Sequence, residues 1–188
     1  MILNVGCGGR SYDKACYFGD VRIDVERFPS VMMLMDAHSL AFGDSIFDEI
    51  VCFEVLEHLD SPIKALKEFR RVLKENGEIM ISVPNVWYWR RILRALIKRH
   101  EVFDEVPTAD HKQAWDIHEF HNLAYQVGLK ITDVKWLDWY PKGKLKLGIL
   151  EPILRFLPQI CFTHVILKLK HDNNQKYASN STILNRKT

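Results

Sequence analysis

The sequence predicts an α/β protein with a doubly wound, mostly parallel sheet, and three observations carry that prediction. Short β-branched apolar runs alternate with amphipathic helical patterns, the order expected of strands covered by helices. The first run, Ile2–Val5, breaks into three glycines within four positions, at Gly6, Gly8 and Gly9. A carboxylate, Asp24, closes the next run 18 positions after Gly6. Glycines just past a strand let the backbone turn tightly and approach a ligand closely. An acidic group ending the following strand can accept hydrogen bonds from a ribose.

Residues 2–5 are too few and too β-branched for a helix, so they read as a buried strand. After the glycines, residues 13–18 have room for a short helix at most. Residues 21–25 read as a second strand and the apolar run 31–35 as a third, ending at Asp36. FDEIVCF, Phe47–Phe53, is a fourth with a strongly apolar end. Ser61-Pro62 opens a helix, with proline in the first turn where its missing N–H costs nothing. Ile63, Leu66, Phe69, Val72 and Leu73 follow at helical spacing, with Lys64, Lys67, Glu68, Arg70 and Arg71 on the other face. Asn76-Gly77 is the expected stop, and residues 78–83 form a buried strand ending at Pro84-Asn85. Asp116 and Glu119 make a capping box for a later helix that Gly128 ends. Residues 130–137 and 163–169 are two further strands without a convincing helix between them, so one is expected to run antiparallel. The Asn-, Ser- and Lys-rich stretch 171–188 reads as a frayed tail on a single domain, 1–170.

At 188 residues the chain suits one domain with a full core. Its 26 basic and 24 acidic residues give a net charge of +2, which argues against a general nucleic-acid binder. Cys7, Cys16, Cys52 and Cys161 lie far apart, so no zinc knuckle or disulfide framework is implied. The first residues carry no basic region and no window reaches the ~18 uncharged apolar residues of a spanning helix, so a cytoplasmic, enzyme-sized domain is expected.

Four blocks in order resemble the class I S-adenosylmethionine-dependent methyltransferases, particularly the small type 11 branch. Leu3-Asn-Val-Gly-Cys-Gly-Gly9 is similar to the family's glycine turn, which implies that Gly6, Cys7 and Gly8 lie under the methionine part of the cofactor. Asp24 matches the acidic residue that holds the ribose hydroxyls, and Asp36-Ala37 the pair beside the adenine. The segment Phe47-Asp48 to His58 resembles the block lining the cofactor, which places Phe53, Glu54 and His58 there. The resemblance implies a Rossmann-like sheet of seven strands with an antiparallel last strand, S-adenosylmethionine as cofactor, and transfer of a methyl group to a small-molecule or glycan-like acceptor. Asn4 stands where many relatives carry an acid for the methionine ammonium group; its amide oxygen can still accept a hydrogen bond. Arg10 replaces a third glycine. Alternatives are a non-catalytic binding module of the same fold or a nicotinamide-dependent oxidoreductase; the latter fits less well because the spacing from Gly6 and Gly8 lands on Ser11.

Ligands of open α/β sheets bind beyond the carboxyl ends of strands, so catalytic candidates are sought there. His58 is a candidate base, with a brace for the turn into Ser61-Pro62 as its plainer role. His111, before the last helix, is the distal catalytic candidate. Asn85 either orients an acceptor or satisfies loop backbone. His118 and His121 share a helical face, but no carboxylate or cysteine completes a ligand set, so no metal is expected. Residues 87–99 combine aromatic and basic side chains and read as a substrate lid, a helix against an anionic membrane surface, or an ordinary solvated helix. The apolar insertion 142–158 could cap the site, form a homodimer surface or rest on lipid.

Overall fold

A computed structural model describes residues 1–8, 18–89, 92, 111–139 and 162–173. Strands β1 (Ile2–Val5), β2 (Val21–Asp24), β3 (Met33–Leu34), β4 (Phe47–Phe53), β5 (Leu73–Pro84), β6 (Leu129–Trp139) and β7 (Phe162–His171) form one sheet in the order β3-β2-β1-β4-β5-β7-β6. The first five are parallel, and β7 runs antiparallel to both β5 and β6. The seven-stranded, mostly parallel architecture is the one the sequence predicts, with β7 as the antiparallel strand. The reversal of strand order between β1 and β4 opens a crevice at the carboxyl edge, where ligands of such sheets bind.

Helix α1 (Pro62–Val72) turns its apolar stripe onto the sheet and buries Ala65, Leu66, Phe69 and Val72 against Ile50, Ile79 and Ile81. Phe69 is fully buried, so its truncation would remove on the order of 3–5 kcal/mol. Helix α2 (Ile117–Gln126) starts on the predicted box: the Asp116 carboxylate accepts from the Glu119 N–H at 2.8 Å, and Glu119 accepts from the Asp116 N–H at 3.1 Å. It ends as expected at Gly128, where φ is +73°. Arg70 of α1 donates to the Gly128 carbonyl, so the two helices are tied side by side.

Four boundaries differ from expectation. Helix α1 stops at Val72 rather than at Asn76-Gly77, because Leu73 already pairs with Phe47 of β4. The chain then runs from Leu73 to Glu78 while β4 advances only from Phe47 to Glu49, so Asn76-Gly77 turns a bulge instead of closing the helix. A Cβ at Gly77 would come within 2.9 Å of the Asp48 carbonyl, which explains the glycine. Strand β3 is two residues long rather than five, and Met32 and Leu34 are each 55% exposed, because the run 31–35 lies at the edge of the sheet. His171 pairs with Leu129 and belongs to β7, not to a tail. Both final strands extend beyond 130–137 and 163–169. The expected helix at 13–18, most of 87–99, the insertion 142–158 and the remaining tail lie outside the described residues.

Arg71, read as a solvated helix residue, instead grips the chain between β3 and β4. It donates to the carbonyls of Leu40 and Phe42 and to the carboxylates of Asp44 and Glu68. Glu68 also accepts from the Leu40 N–H at 2.8 Å. The Arg71 hydrogen bond is the main cause that lowers the Glu68 pKa from its ordinary 4.5, against an opposing cost of burial. A lowered native pKa gives stability that is present above 4.5 and is lost as pH falls through the native value. Urea unfolding at pH 6 and pH 3.5 is expected to show a smaller pH-dependent loss for Glu68→Gln than for the parent chain.

Candidate active site

The glycine turn after β1 is held from two sides. The Gly6 N–H donates to the Ile23 carbonyl at 2.9 Å, with φ of +72°, and the Gly8 N–H donates to Oδ2 of Asp24 at 2.9 Å. The other oxygen of Asp24 accepts from the Glu26 N–H at 3.0 Å. A carboxylate offers roughly four acceptor positions, so two remain for hydroxyls arriving from the crevice. Buried Ser30 locks the turn from β2's side, donating its hydroxyl to the Cys7 carbonyl at 2.9 Å. Cys7 is itself buried, so it contributes backbone rather than thiol chemistry. A Cβ on Gly8 would stand 1.9 Å from the Phe28 ring, and one on Gly6 would stand 2.1 Å from Val55, so neither position tolerates a side chain.

Asn4 is buried with its amide N–H on the Phe18 carbonyl at 3.0 Å, so it braces the chain entering β2. Asp36 is mostly exposed and uses one oxygen twice, accepting from the His38 N–H at 2.9 Å and the His38 ring at 2.7 Å. The His38 backbone N–H is the larger cause lowering the Asp36 pKa; burial opposes it, and the ring adds to the lowering. Nε2 of His38 accepts from the Ser61 N–H at 3.3 Å, which puts the imidazole proton on Nδ1 facing Asp36. The start of α1 is thereby tied to the Asp36-Ala37 segment, where Ala37 is buried.

Glu54, just past Phe53 at the end of β4, has φ of +54°, a conformation that costs a non-glycine residue about 1–2 kcal/mol. Its carboxylate explains why the chain holds it. Ser82 of β5 donates to it at 2.7 Å, and Nε2 of His164 lies 3.4 Å away from the first turn of β7. The Glu54 N–H donates back to the Ser82 hydroxyl at 3.0 Å. Ser82 and His164 were not read from sequence; an antiparallel β7 brings its first residues to this edge, and only the pairing reveals that. Asn85 satisfies loop backbone, as one of its two expected roles has it, and it also borders an aromatic cleft at this edge. It is 3% exposed, donates to the Phe162 carbonyl at 2.7 Å and accepts from the Trp87 N–H at 3.0 Å. Burial, with the charges of Glu57 and Glu54 behind it, pushes the Cys52 thiol up, which leaves it inert.

His58 ends a single 3-10 turn, Leu56–His58, and meets His111 edge to face with ring centroids 4.7 Å apart. The Lys112 and Gln113 N–H groups both donate to the Glu57 carbonyl, at 2.8 and 3.2 Å, and Lys112 pairs with Asp60 at 2.6 Å. These bonds fasten the segment carrying His111 onto the turn carrying His58. The two histidines proposed for catalysis are therefore brought together, with Glu57 beside them. His118 and His121 are exposed on α2, and His121 stacks on Tyr125. At the same carboxyl edge lies a cleft of about 530 Å³ whose walls include Trp87, Trp115, Phe120 and Trp136. Trp115 and Trp136 were not singled out in the sequence, because nothing in their spacing shows that they face one cavity.

The strand order and the crevice at the end of β1 are those of the class I S-adenosylmethionine-dependent methyltransferases. The sequence profile of a methyltransferase domain family matches residues 2–134, and the chain belongs to that family. It is 26% identical over 183 residues to a ubiquinone biosynthesis O-methyltransferase of Coxiella burnetii, spanning 87% of this chain and 76% of that one. Crystal structures share the fold. An S-adenosylmethionine-dependent methyltransferase of Archaeoglobus fulgidus superposes with a TM-score of 0.59 at 15% identity, covering 90% of this chain and 85% of that one. A second, from Thermotoga maritima, gives 0.60 at 16% identity, covering 90% and 81%. The cofactor of this class is S-adenosylmethionine. Among the described residues, no helix is long and apolar enough to cross a membrane.

Proposed function

We propose that this chain methylates an oxygen of a small-molecule or glycan-like acceptor. The observation that carries this reading is the convergence of the glycine turn, Asp24, Asp36 and Glu54 on one crevice of the sheet. The residues fit the cofactor: Asp24 keeps two acceptor positions for ribose hydroxyls, and the His38 N–H and ring both meet Oδ1 of Asp36, leaving Oδ2 for an exocyclic amine. Asn4, Gly6, Cys7 and Gly8 would border its methionine part, and Ala37, Phe53, Glu54 and His58 would line the rest. When bound, S-adenosylmethionine supplies a methyl group on an electrophilic sulfonium.

The protein's part is to place the acceptor and keep water away, and positioning of that kind lowers barriers by ~7–11 kcal/mol. The aromatic cleft beside the crevice suits a flat or ring-shaped acceptor. His58 and His111 handle its hydroxyl. An oxygen acceptor is favoured by the Coxiella relative, which is named as an O-methyltransferase. Residence in the cytoplasm accords with this role.

Calorimetry tests the reading first. S-adenosylhomocysteine is expected to bind in the micromolar range and NADH not at all. Tighter binding of NADH would make the chain an oxidoreductase, and no S-adenosylhomocysteine binding at millimolar concentration would make it a non-catalytic module. A screen of hydroxylated acceptors, read by S-adenosylhomocysteine release, then identifies the substrate.

A further inference from the structure

We infer that Glu57, His58 and His111 form a binding site for one divalent transition-metal cation at the acceptor end of the crevice. A carboxylate oxygen and one nitrogen from each imidazole all lie within 4.8 Å of one another. Tetrahedral ligands at 2.0–2.2 Å from a shared ion stand about 3.3–3.6 Å apart, so side-chain rotations that move the ligand atoms by about 1 Å close the set. Two imidazoles and a carboxylate suit Mn²⁺, Fe²⁺, Co²⁺ or Zn²⁺ rather than Mg²⁺ or Ca²⁺.

The environment supports a cation. Glu57 is 1% exposed and both carboxylate oxygens are shielded from solvent. His58 and His111 are only half-buried, so the group has a sealed side and an open one. The ligands are also fixed before any ion arrives. The two N–H bonds to the Glu57 carbonyl and the Lys112–Asp60 pair hold His111 against His58, although the two come from segments far apart in the chain. Three protein ligands with an open side leave positions for oxygen atoms from outside. A cation there would hold an acceptor hydroxyl and make it more acidic. That chemical role rests on the methyltransferase reading, whereas binding of the ion does not. The sequence argued against a metal because, of His100, His111, His118 and His121, none had a carboxylate or cysteine at ligand spacing; Glu57 and His58 meet His111 only through the fold.

The test uses the untagged chain stripped with EDTA and titrated with Mn²⁺, following free Mn²⁺ by electron paramagnetic resonance. One ion per chain is expected, displaced by Zn²⁺. Glu57→Gln and His111→Ala should each weaken Mn²⁺ binding at least tenfold while the thermal midpoint in EDTA stays near that of the parent. His111 lies on a half-buried loop, so it remains the informative variant if Glu57→Gln fails to fold. No uptake of Mn²⁺ or Zn²⁺ by the parent, or parental affinity in folded His111→Ala, would overturn the inference. S-adenosylhomocysteine calorimetry on the same stripped protein separates the two proposals. Cofactor binding without metal binding sinks the cation site alone, and metal binding without cofactor binding sinks the methyltransferase reading alone.

Discussion

Gly6→Ala is expected to be the most damaging single-methyl change in the chain. The backbone there has φ of +72°, which an L side chain adopts only at a cost of about 1–2 kcal/mol. The new Cβ would also stand 2.1 Å from Cγ2 of Val55, far inside contact distance. Val55 is β-branched and has few rotamers with which to escape, and overpacking of this kind costs typically ~1–3 kcal/mol. The sum, about 2–5 kcal/mol, corresponds to a melting midpoint lower by roughly 5–15 °C for a domain of this size. Differential scanning calorimetry measures it. The double variant Gly6→Ala with Val55→Ala should recover the overpacking part and leave the backbone part. A melting midpoint in Gly6→Ala equal to the parent's would mean that the turn is not held in this conformation.

Asp24→Ala is expected to lower affinity for S-adenosylhomocysteine about 10- to 100-fold, the loss of one charge-assisted bond of ~1.5–3 kcal/mol. The structure adds a second consequence. The same carboxylate accepts from the Gly8 N–H, so its removal also frees the glycine turn that borders the crevice. Asp24→Asn keeps the shape but not the charge, and it should fall between the parent and alanine. Glu26 points its side chain into solvent, so Glu26→Ala should bind as the parent does. Calorimetry on the three variants checks the order. Unchanged affinity in Asp24→Ala would show that another group holds the ribose.

Local signals survived folding where the contacts that decide them are local. The Asp116–Glu119 box and the Gly128 stop each depend on residues within a few positions, and each is found where expected. The stop of α1 was misplaced because Leu73 answers to Phe47, a partner far away in sequence. The run at 31–35 has the composition of a buried strand but falls at the sheet's edge, which composition cannot reveal. The same holds for chemistry. Asp24, Asp36 and Glu54 were legible through a family resemblance, whereas His38, Ser82 and His164 emerged only from the pairings that face them onto those carboxylates. His58 and His111 were each named, but their meeting depends on hydrogen bonds between two loops.

The placement of β7 between β5 and β6 governs how the sheet can be assembled. Of the seven strands it is made last, yet it lies inside the sheet, pairing with β6 from Phe162 to His171 and with β5 from His164 to Leu169. Among the described residues, strand β6 pairs with the rest of the sheet only through β7, so its place in the sheet is set only once residues beyond Phe162 have been synthesised. Closure therefore requires a contact as distant as Ile79 with Leu169, and such long-range pairing is slow. A chain interrupted before β7 would lose two strands rather than one, and would leave the edge of β5 bare for pairing with other molecules.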